Sequence, residues 1–211
     1  MSDTEKRSNL VETIATILLA FAAVATAWTT YQSAQWRGQQ ASHTAKSTTA
    51  RIESSTAFTR AGQLTQVDIA TFTQWVNATV AGNTELADFY KARFRAEFTP
   101  AFDAWLATKP LTDPNAPKTP FEMSEYVVSE NTKANELNTE ATKQSAQAAS
   151  SVERADNYML AVVLFAASLF FAGISTKLRS IRHREALLAL GVLIFLGTAI
   201  WLATLPVRLV S

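Results

Sequence analysis

The chain contains no cysteine and only two histidines, His43 and His183. Without cysteine there is no disulfide, no thiolate nucleophile and no Cys-based zinc or iron–sulfur site. That absence assigns no compartment, because a helical domain is stable outside the cytoplasm without disulfides. The two imidazoles lie far apart, and neither has a partner at metal-ligand spacing, so no histidine metal site is expected; with a single histidine in the middle of the chain, no Ser–His–Asp set is proposed either. A Gly-rich phosphate loop and a dinucleotide fingerprint are also missing. Charge of one sign is lacking too: the formal net charge is +1 over 211 residues, which removes the electrostatic case for a nucleic-acid partner. Between residues 29 and 157 no alternating β-branched run bounded by turns predicts a strand.

What the chain does have is apolar length. Hydrophobic residues make up 48% overall, but they gather at the two ends. The middle is rich in Ala, Thr, Ser, Gln and Glu. Residues 11–28, 158–175 and 186–207 are each about 18 residues or more, enough to cross hydrocarbon at a rise of roughly 1.5 Å per residue. A cleaved signal peptide is the alternative for the first run, with Ala23-Val24-Ala25 a loose match to a cleavage site. The helical pattern continues past Trp28 without a break, which favours a span. The segment joining the second and third runs is too short for anything except a tight turn.

Orientation is read from the basic residues. Lys177, Arg179, Arg182 and Arg184 crowd that short segment, with no acid before Glu185. They are the topology determinants, and they predict a cytoplasmic loop. Three spans place the amino terminus, with Lys6 and Arg7, on the same side. The middle of the chain and the carboxyl terminus then lie outside the cytoplasm. Trp28, Trp36, Tyr158 and Trp201 fall near the outer boundary, where interfacial aromatics belong. Glu12 is the one acid near a span. It reads either as a helix-start carboxylate reaching interfacial water or as a polar contact inside a bundle or pore.

The first helix-breaking signal after the first span is Ala81-Gly82-Asn83, so one helix is expected from about residue 10 to about 81. Along it Thr16, Ala20, Ala23, Ala27, Thr30, Ala34, Gly38, Ala41 and Ala45 recur in steps of four and three, and the series continues to Gly62. Nearly all are small, and this seam is expected to pack closely against a partner helix. A returning seam, Leu137, Ala141, Gln144, Ala148, Ser151 and Ala155, leads into the second span. The two predict an antiparallel pair, a coiled-coil-like stalk. About 50 residues beyond the bilayer would reach roughly 75 Å if straight. At about 25 cal/mol per Å² a seam of such side chains gains little per turn, so self-association or support from cap and membrane is expected.

Between the two long helices, Leu86, Phe89, Tyr90, Phe94, Phe98, Phe102 and Trp105 recur at three or four. They predict an amphipathic cap helix, bent or ended near Pro100. Phe72, Trp75, Val76 and Val80 supply the matching face of the first helix and complete a small aromatic core. The alternative sets Phe94, Phe98 and Trp105, with Lys91, Arg93 and Arg95, on a lipid surface. Residues 109–119 form a Pro-rich loop at the far tip, which either only connects or offers Asp113, Pro114 and Asn115 as candidate docking residues. Thr119-Pro120-Phe121-Glu122 reads as a capping box opening the returning helix, with Ser124 a second possible start. The carboxylate pairs Glu136 with Glu140 and Glu122 with Glu125 sit at helical spacing in polar segments and read as solvated faces. Asn77-Ala78-Thr79 matches a glycosylation sequon, relevant only in a eukaryotic secretory pathway.

The segments TAWTTYQSAQWRGQQA, LTQVDIATFTQW, ELADFYKARFRAEFTPAFDAWL and LFFAGISTKLRS together resemble a family of small bacterial inner-membrane proteins of uncharacterised function. That family has one span, a helical domain and two further spans. The resemblance covers nearly the whole chain and implies a bacterial setting, but no activity, cofactor or residue role.

The expected fold is therefore an all-α membrane protein of three transmembrane helices with an inserted extracytoplasmic helical hairpin and a small helical cap. Residues 1–9 are cytoplasmic, 10–29 the first span, 30–82 the outgoing stalk helix and 83–123 the cap and Pro-rich loop. Residues 124–156 are the returning stalk helix, 157–176 the second span, 177–185 the basic loop and 186–207 the third span. No catalytic, cofactor or metal constellation emerges, so the expectation is a membrane-anchored scaffold or accessory subunit and not an enzyme. Its partners would be the bilayer and either further copies of itself or another membrane protein, with no nucleic acid and no small-molecule substrate. The alternative is a homo-oligomeric pore or transport subunit, motivated by Glu12 and the small-residue face of the first span. An enzyme acting outside the membrane has only the acid-rich middle to recommend it.

Overall fold

A computed structural model describes residues 3–208, and side chains from residue 7 onward. Among the described residues the chain is helical and has no strand. Its helices are α1 (Asp3–Val80), α2 (Thr84–Lys91), α3 (Thr99–Ala107), α4 (Ser129–Ser175) and α5 (Ile181–Leu202), with a 3-10 turn at Pro120–Glu122. Three of them, α1, α4 and α5, are long and apolar enough to cross a membrane. The chain divides into two compact units, one of residues 1–45 with 144–211 and one of residues 46–143.

In the first unit several hydroxyl and amide side chains share the interior with apolar ones, and large apolar side chains face outward. Thr29, Gln32, Ser33, Ser168, Ser175 and Thr198 are buried, while Phe21, Val24, Val163, Phe170, Leu193 and Ile200 face outward. Lipid makes that arrangement favourable, because outward apolar side chains lose nothing and inward hydroxyls find partners. Ser168 Oγ donates to the Gly191 carbonyl at 2.8 Å. A Cβ on Gly191 would stand 3.2 Å from the Ser168 carbonyl, so α4 and α5 approach there more closely than a larger side chain would readily fit. Val11, Ala15 and Leu18 of α1 pack with Ala172 and Leu188. The turn between α4 and α5 occupies only residues 176–180, so Arg182 and Arg184 belong to the start of α5 and not to a loop.

In the second unit the end of α1 turns by a Schellman motif. Asn83 N–H donates to the Ala78 carbonyl and Gly82 N–H to that of Thr79, with Gly82 at φ 71°. Asn83 then caps α2, its side chain accepting from Leu86 N–H at 3.0 Å. The helix expected to run to Pro100 stops instead at Lys91, and Pro100 lies at the opening of α3. A proline in the first helical turn forfeits no hydrogen bond, because that N–H has no intrahelical acceptor. The core holds Phe72, Trp75, Phe94, Phe98, Phe102 and Trp105, with Phe121 and Tyr126 packed against it. Its rings meet mostly edge to face, as between Trp75 and Phe102 at 4.8 Å and Phe72 and Trp105 at 5.3 Å. Burial of Phe94, Phe98 and Trp105 excludes the lipid-surface alternative for those residues. Val80, assigned to the core from its spacing, is 79% exposed.

The capping box does not open the returning helix. Thr119 Oγ1 donates to Glu122 Oε1 at 3.3 Å, but only the 3-10 turn follows, and α4 begins at Ser129. Phe121, Met123 and Tyr126 are drawn into the aromatic core, and that packing overrides the local cap signal.

The packing seam of α1 is also not the one its small residues mark. Ala20, Ala23, Ala27, Ala34, Gly38, Ala41 and Ala45 are all exposed. The stripe that faces the rest of each unit lies roughly one to two residues around the helix. It carries Ala15, Leu18, Ala22, Thr29, Ser33 and Trp36 in the first unit, and Ser47, Ala50, Ala57, Ala61 and Asp68 in the second. The seam expected on α4 is the one observed: Ala141, Ala148, Ser151 and Ala155 are buried. Within the first unit Ser33 Oγ donates to the Ala155 carbonyl at 3.0 Å. Within the second, Ser47 reaches Ala141 at 2.8 Å and Ser54 reaches Ala134 at 2.7 Å. Within the second unit the seven-residue advance from Ser47 to Ser54 is met by a seven-residue retreat from Ala141 to Ala134, so these two segments run in opposite directions.

Candidate functional site in the cap

Two features of the second unit concentrate chemistry, and α1 supplies a wall to both. The first is a polar cluster beside the aromatic core. Asp68 stands one helical step before Phe72 and Trp75 on the same face and is 0% exposed. An isolated carboxylate there would be very costly, and it is fully matched. Arg95 Nε and Nη2 donate to its two oxygens, both at 2.9 Å, a bidentate pair. Tyr126 O–H donates to the same carboxylate at 3.1 Å. Arg95 also donates from Nη1 to Glu97 at 3.0 Å, and Ser129 Oγ donates to the other Glu97 oxygen at 2.5 Å. The break in the cap helix after Lys91 is what carries Arg95 to Asp68.

These contacts set the ionisation of the group. The hydrogen bond with Asp68 holds the Arg95 guanidinium charged well above its usual range, against the opposing effect of burial. The Ser129 hydroxyl, followed by Arg95, lowers the Glu97 carboxyl below its ordinary value. Burial raises the Tyr126 phenol. The cluster therefore joins α1, the segment after α2 and the start of α4 as an ion-paired clamp.

The second feature is a cleft of about 430 Å³ between the end of α1 and the Pro-rich loop. Phe72, Trp75, Val76 and Val80 form one wall, and Trp105, Leu111, Pro114 and Pro117 the other. Trp105 Nε1 donates to the Pro117 carbonyl at 2.8 Å, which fastens the loop to the core. Lys109 begins the loop at φ 55°, in the left-handed region. Asp113 Oδ1 accepts from Asn115 N–H at 2.9 Å and closes a local turn. Leu111 is 67% exposed at the cleft. Of the expected docking residues, Asp113 and Pro114 border this cleft, and all three are exposed.

The remaining residues singled out from the sequence lie in the first unit. Glu12 is exposed on α1, beside Asn9, Thr13 and Thr16, and contacts no other helix of that unit in a hydrogen bond or ion pair among the described residues. Arg184 Nη1 donates to Ser8 Oγ at 2.8 Å, and Arg7 lies 3.6 Å from Glu185. Trp36 and Tyr158, expected as interfacial aromatics, pack with Ala155 inside the unit. Tyr158 O–H donates to the Pro206 carbonyl at 3.3 Å.

The sequence reading missed the clamp, although one signal was present: a lone aspartate on an otherwise aromatic helix face. No known family model, curated protein or solved structure matches the chain.

Proposed function

We propose that the protein is a membrane-anchored interaction protein of a bacterial inner membrane. In this reading its amino terminus and the Lys177–Arg179–Arg182–Arg184 cluster are cytoplasmic, and residues 46–143 lie outside. It recognises a partner protein by an apolar segment seated in the cap cleft. The observation that carries the reading is the contrast between the two cap features. The polar side chains are satisfied by one another and by Thr65, whereas the apolar cleft is open, its loop wall fastened to the core through Trp105. A fastened wall reduces the entropy lost on binding, and an exposed leucine beside tryptophan suits an apolar anchor.

A photo-crosslinking residue at position 111, in the native membrane, should give a discrete adduct that Val76→Glu removes. No adduct, together with a strictly monomeric protein carrying no copurifying partner in mild detergent, would overturn the proposal. Glu12 favours a second reading, a homo-oligomeric pore, because a carboxylate on the uncovered face of the first span gains from cover by another copy. Purified protein in liposomes that conducts no ions, with or without Glu12→Ala, excludes it.

A further inference from the structure

A second cleft, of about 410 Å³, lies wholly within the first unit. Its walls include Trp36, His43, Gln147, Ser150, Arg154 and Arg208, and none of its lining residues is Asp or Glu. We infer that this cleft binds a phosphate-type oxyanion, gripped between the guanidinium groups of Arg154 and Arg208.

Both arginines are held in place by contacts that leave their charge unneutralised by the cleft. The Arg154 guanidinium lies 4.6 Å over the Trp36 ring, a cation–π contact that orients it without a counter-ion. Arg208 is held through its backbone: its N–H donates to Gln32 Oε1 at 3.0 Å, and its carbonyl accepts from Gln32 Nε2 at 3.1 Å. Gln32 is itself fully buried, so this anchor is firm. Trp36 is 8% exposed, and its Nε1 is buried with no acceptor among the described residues, a donor that an oxyanion or its bridging water satisfies. His43 is tied to its neighbours on both sides, Nδ1 lying 2.6 Å from Gln144 Oε1 and Nε2 2.8 Å from Gln39 Nε2. Two forked cations, amide and hydroxyl donors, and no competing carboxylate in the wall form the chemistry that selects phosphate.

The phosphate has two possible sources. Arg154 precedes the apolar part of α4 by one turn and Arg208 follows α5, so a phospholipid headgroup is within reach if the spans cross the bilayer as proposed. A soluble phosphate needs no membrane. The full chain is purified in mild detergent and titrated with inorganic phosphate against chloride. In parallel, retained phosphatidylglycerol and phosphatidylcholine are counted by native mass spectrometry. Saturable phosphate binding assigns the soluble source, and selective retention of phosphatidylglycerol assigns the headgroup. In either case Arg154→Gln with Arg208→Gln should weaken the response by about tenfold or more, the loss expected for charge-assisted hydrogen bonds. Neither substitution touches the Gln32 bonds, and the single Arg154→Gln variant, on an exposed side chain, serves if the double variant loses helicity. Binding of neither probe above its control, or binding indifferent to these variants, overturns the inference. A chain that fractionates outside the membrane yet binds phosphate would sink the membrane reading alone.

Discussion

At the scale of single residues, the most informative group is the carboxylate of Asp68. It lies fully buried beside the aromatic core, and its bidentate pair with Arg95, helped by the Tyr126 hydroxyl, offsets its desolvation cost. Removing the partner is therefore worse than removing the charge. Arg95→Met should destabilise the cap by about 3–5 kcal/mol, because it strands a buried anion. Asp68→Asn should cost less, since a neutral amide keeps some hydrogen bonds. Thermal unfolding followed by circular dichroism on the full chain orders the two, and the reverse order would refute the clamp. Glu97 makes a pH prediction. Its folded-state pKa is lowered, so the stability it adds is present above the ordinary carboxylate range and is lost as pH falls through the lowered value. Glu97→Gln should flatten the acid limb of stability, and Ser129→Ala should flatten most of it. About a third of the Glu97 side chain is exposed, so the effect is modest. This clamp was barely legible beforehand, because its members are separated by a break in the cap helix that no glycine or proline announces.

At the scale of elements, the long helix itself was legible, and its stop at Gly82 follows from ordinary cap chemistry. Its inward face was not. Small residues mark two stripes of equal regularity on α1, and the small size that was used to choose between them does not discriminate. The observed stripe mixes Ser and Ala with Leu18, Trp36 and Phe72, set against the alanines of α4. In the apolar part of α1 the outward face is as apolar as the packed one, so hydrophobic contrast vanishes. Beyond it, Ala and Thr cover both faces. What distinguishes the true stripe is a heptad-spaced series of serines whose hydroxyls reach alanine carbonyls on α4. Ser47→Ala should cost about 0.5–1.5 kcal/mol, the worth of one hydrogen bond. Ser47→Leu should cost about 1–3 kcal/mol or more by forcing the helices apart. Ala45→Leu, on the outward stripe, should stay within about 0.5 kcal/mol of wild type. Equal effects at positions 45 and 47 in thermal unfolding would contradict the assigned face. Gly82→Ala should cost about 1 kcal/mol, since alanine resists a positive φ.

At the scale of the whole molecule, three apolar helices and the inward hydroxyls of the first unit argue for a bilayer as its solvent. Their number and place were legible because charge-free length has few other uses. Which side each end occupies rests on Lys177, Arg179, Arg182 and Arg184, and the residues themselves suggest a test. The chain has no cysteine, so one introduced thiol reports without background. Ser180 is exposed in the turn between α4 and α5, and its side chain makes no cap hydrogen bond to α5. Thr112 is exposed in the Pro-rich loop. If positive charge holds the turn in the cytoplasm, a membrane-impermeant maleimide should label Thr112→Cys in cells whose outer barrier alone is opened. It should label Ser180→Cys only after the inner membrane is permeabilised. Replacing the four basic residues by glutamine should weaken that asymmetry, because the helices would insert but lose the charge bias that orients them. The inverse pattern would place the cap cleft in the cytoplasm, and with it any partner it binds, whereas labelling of both cysteines without permeabilisation would refute a cytoplasmic turn.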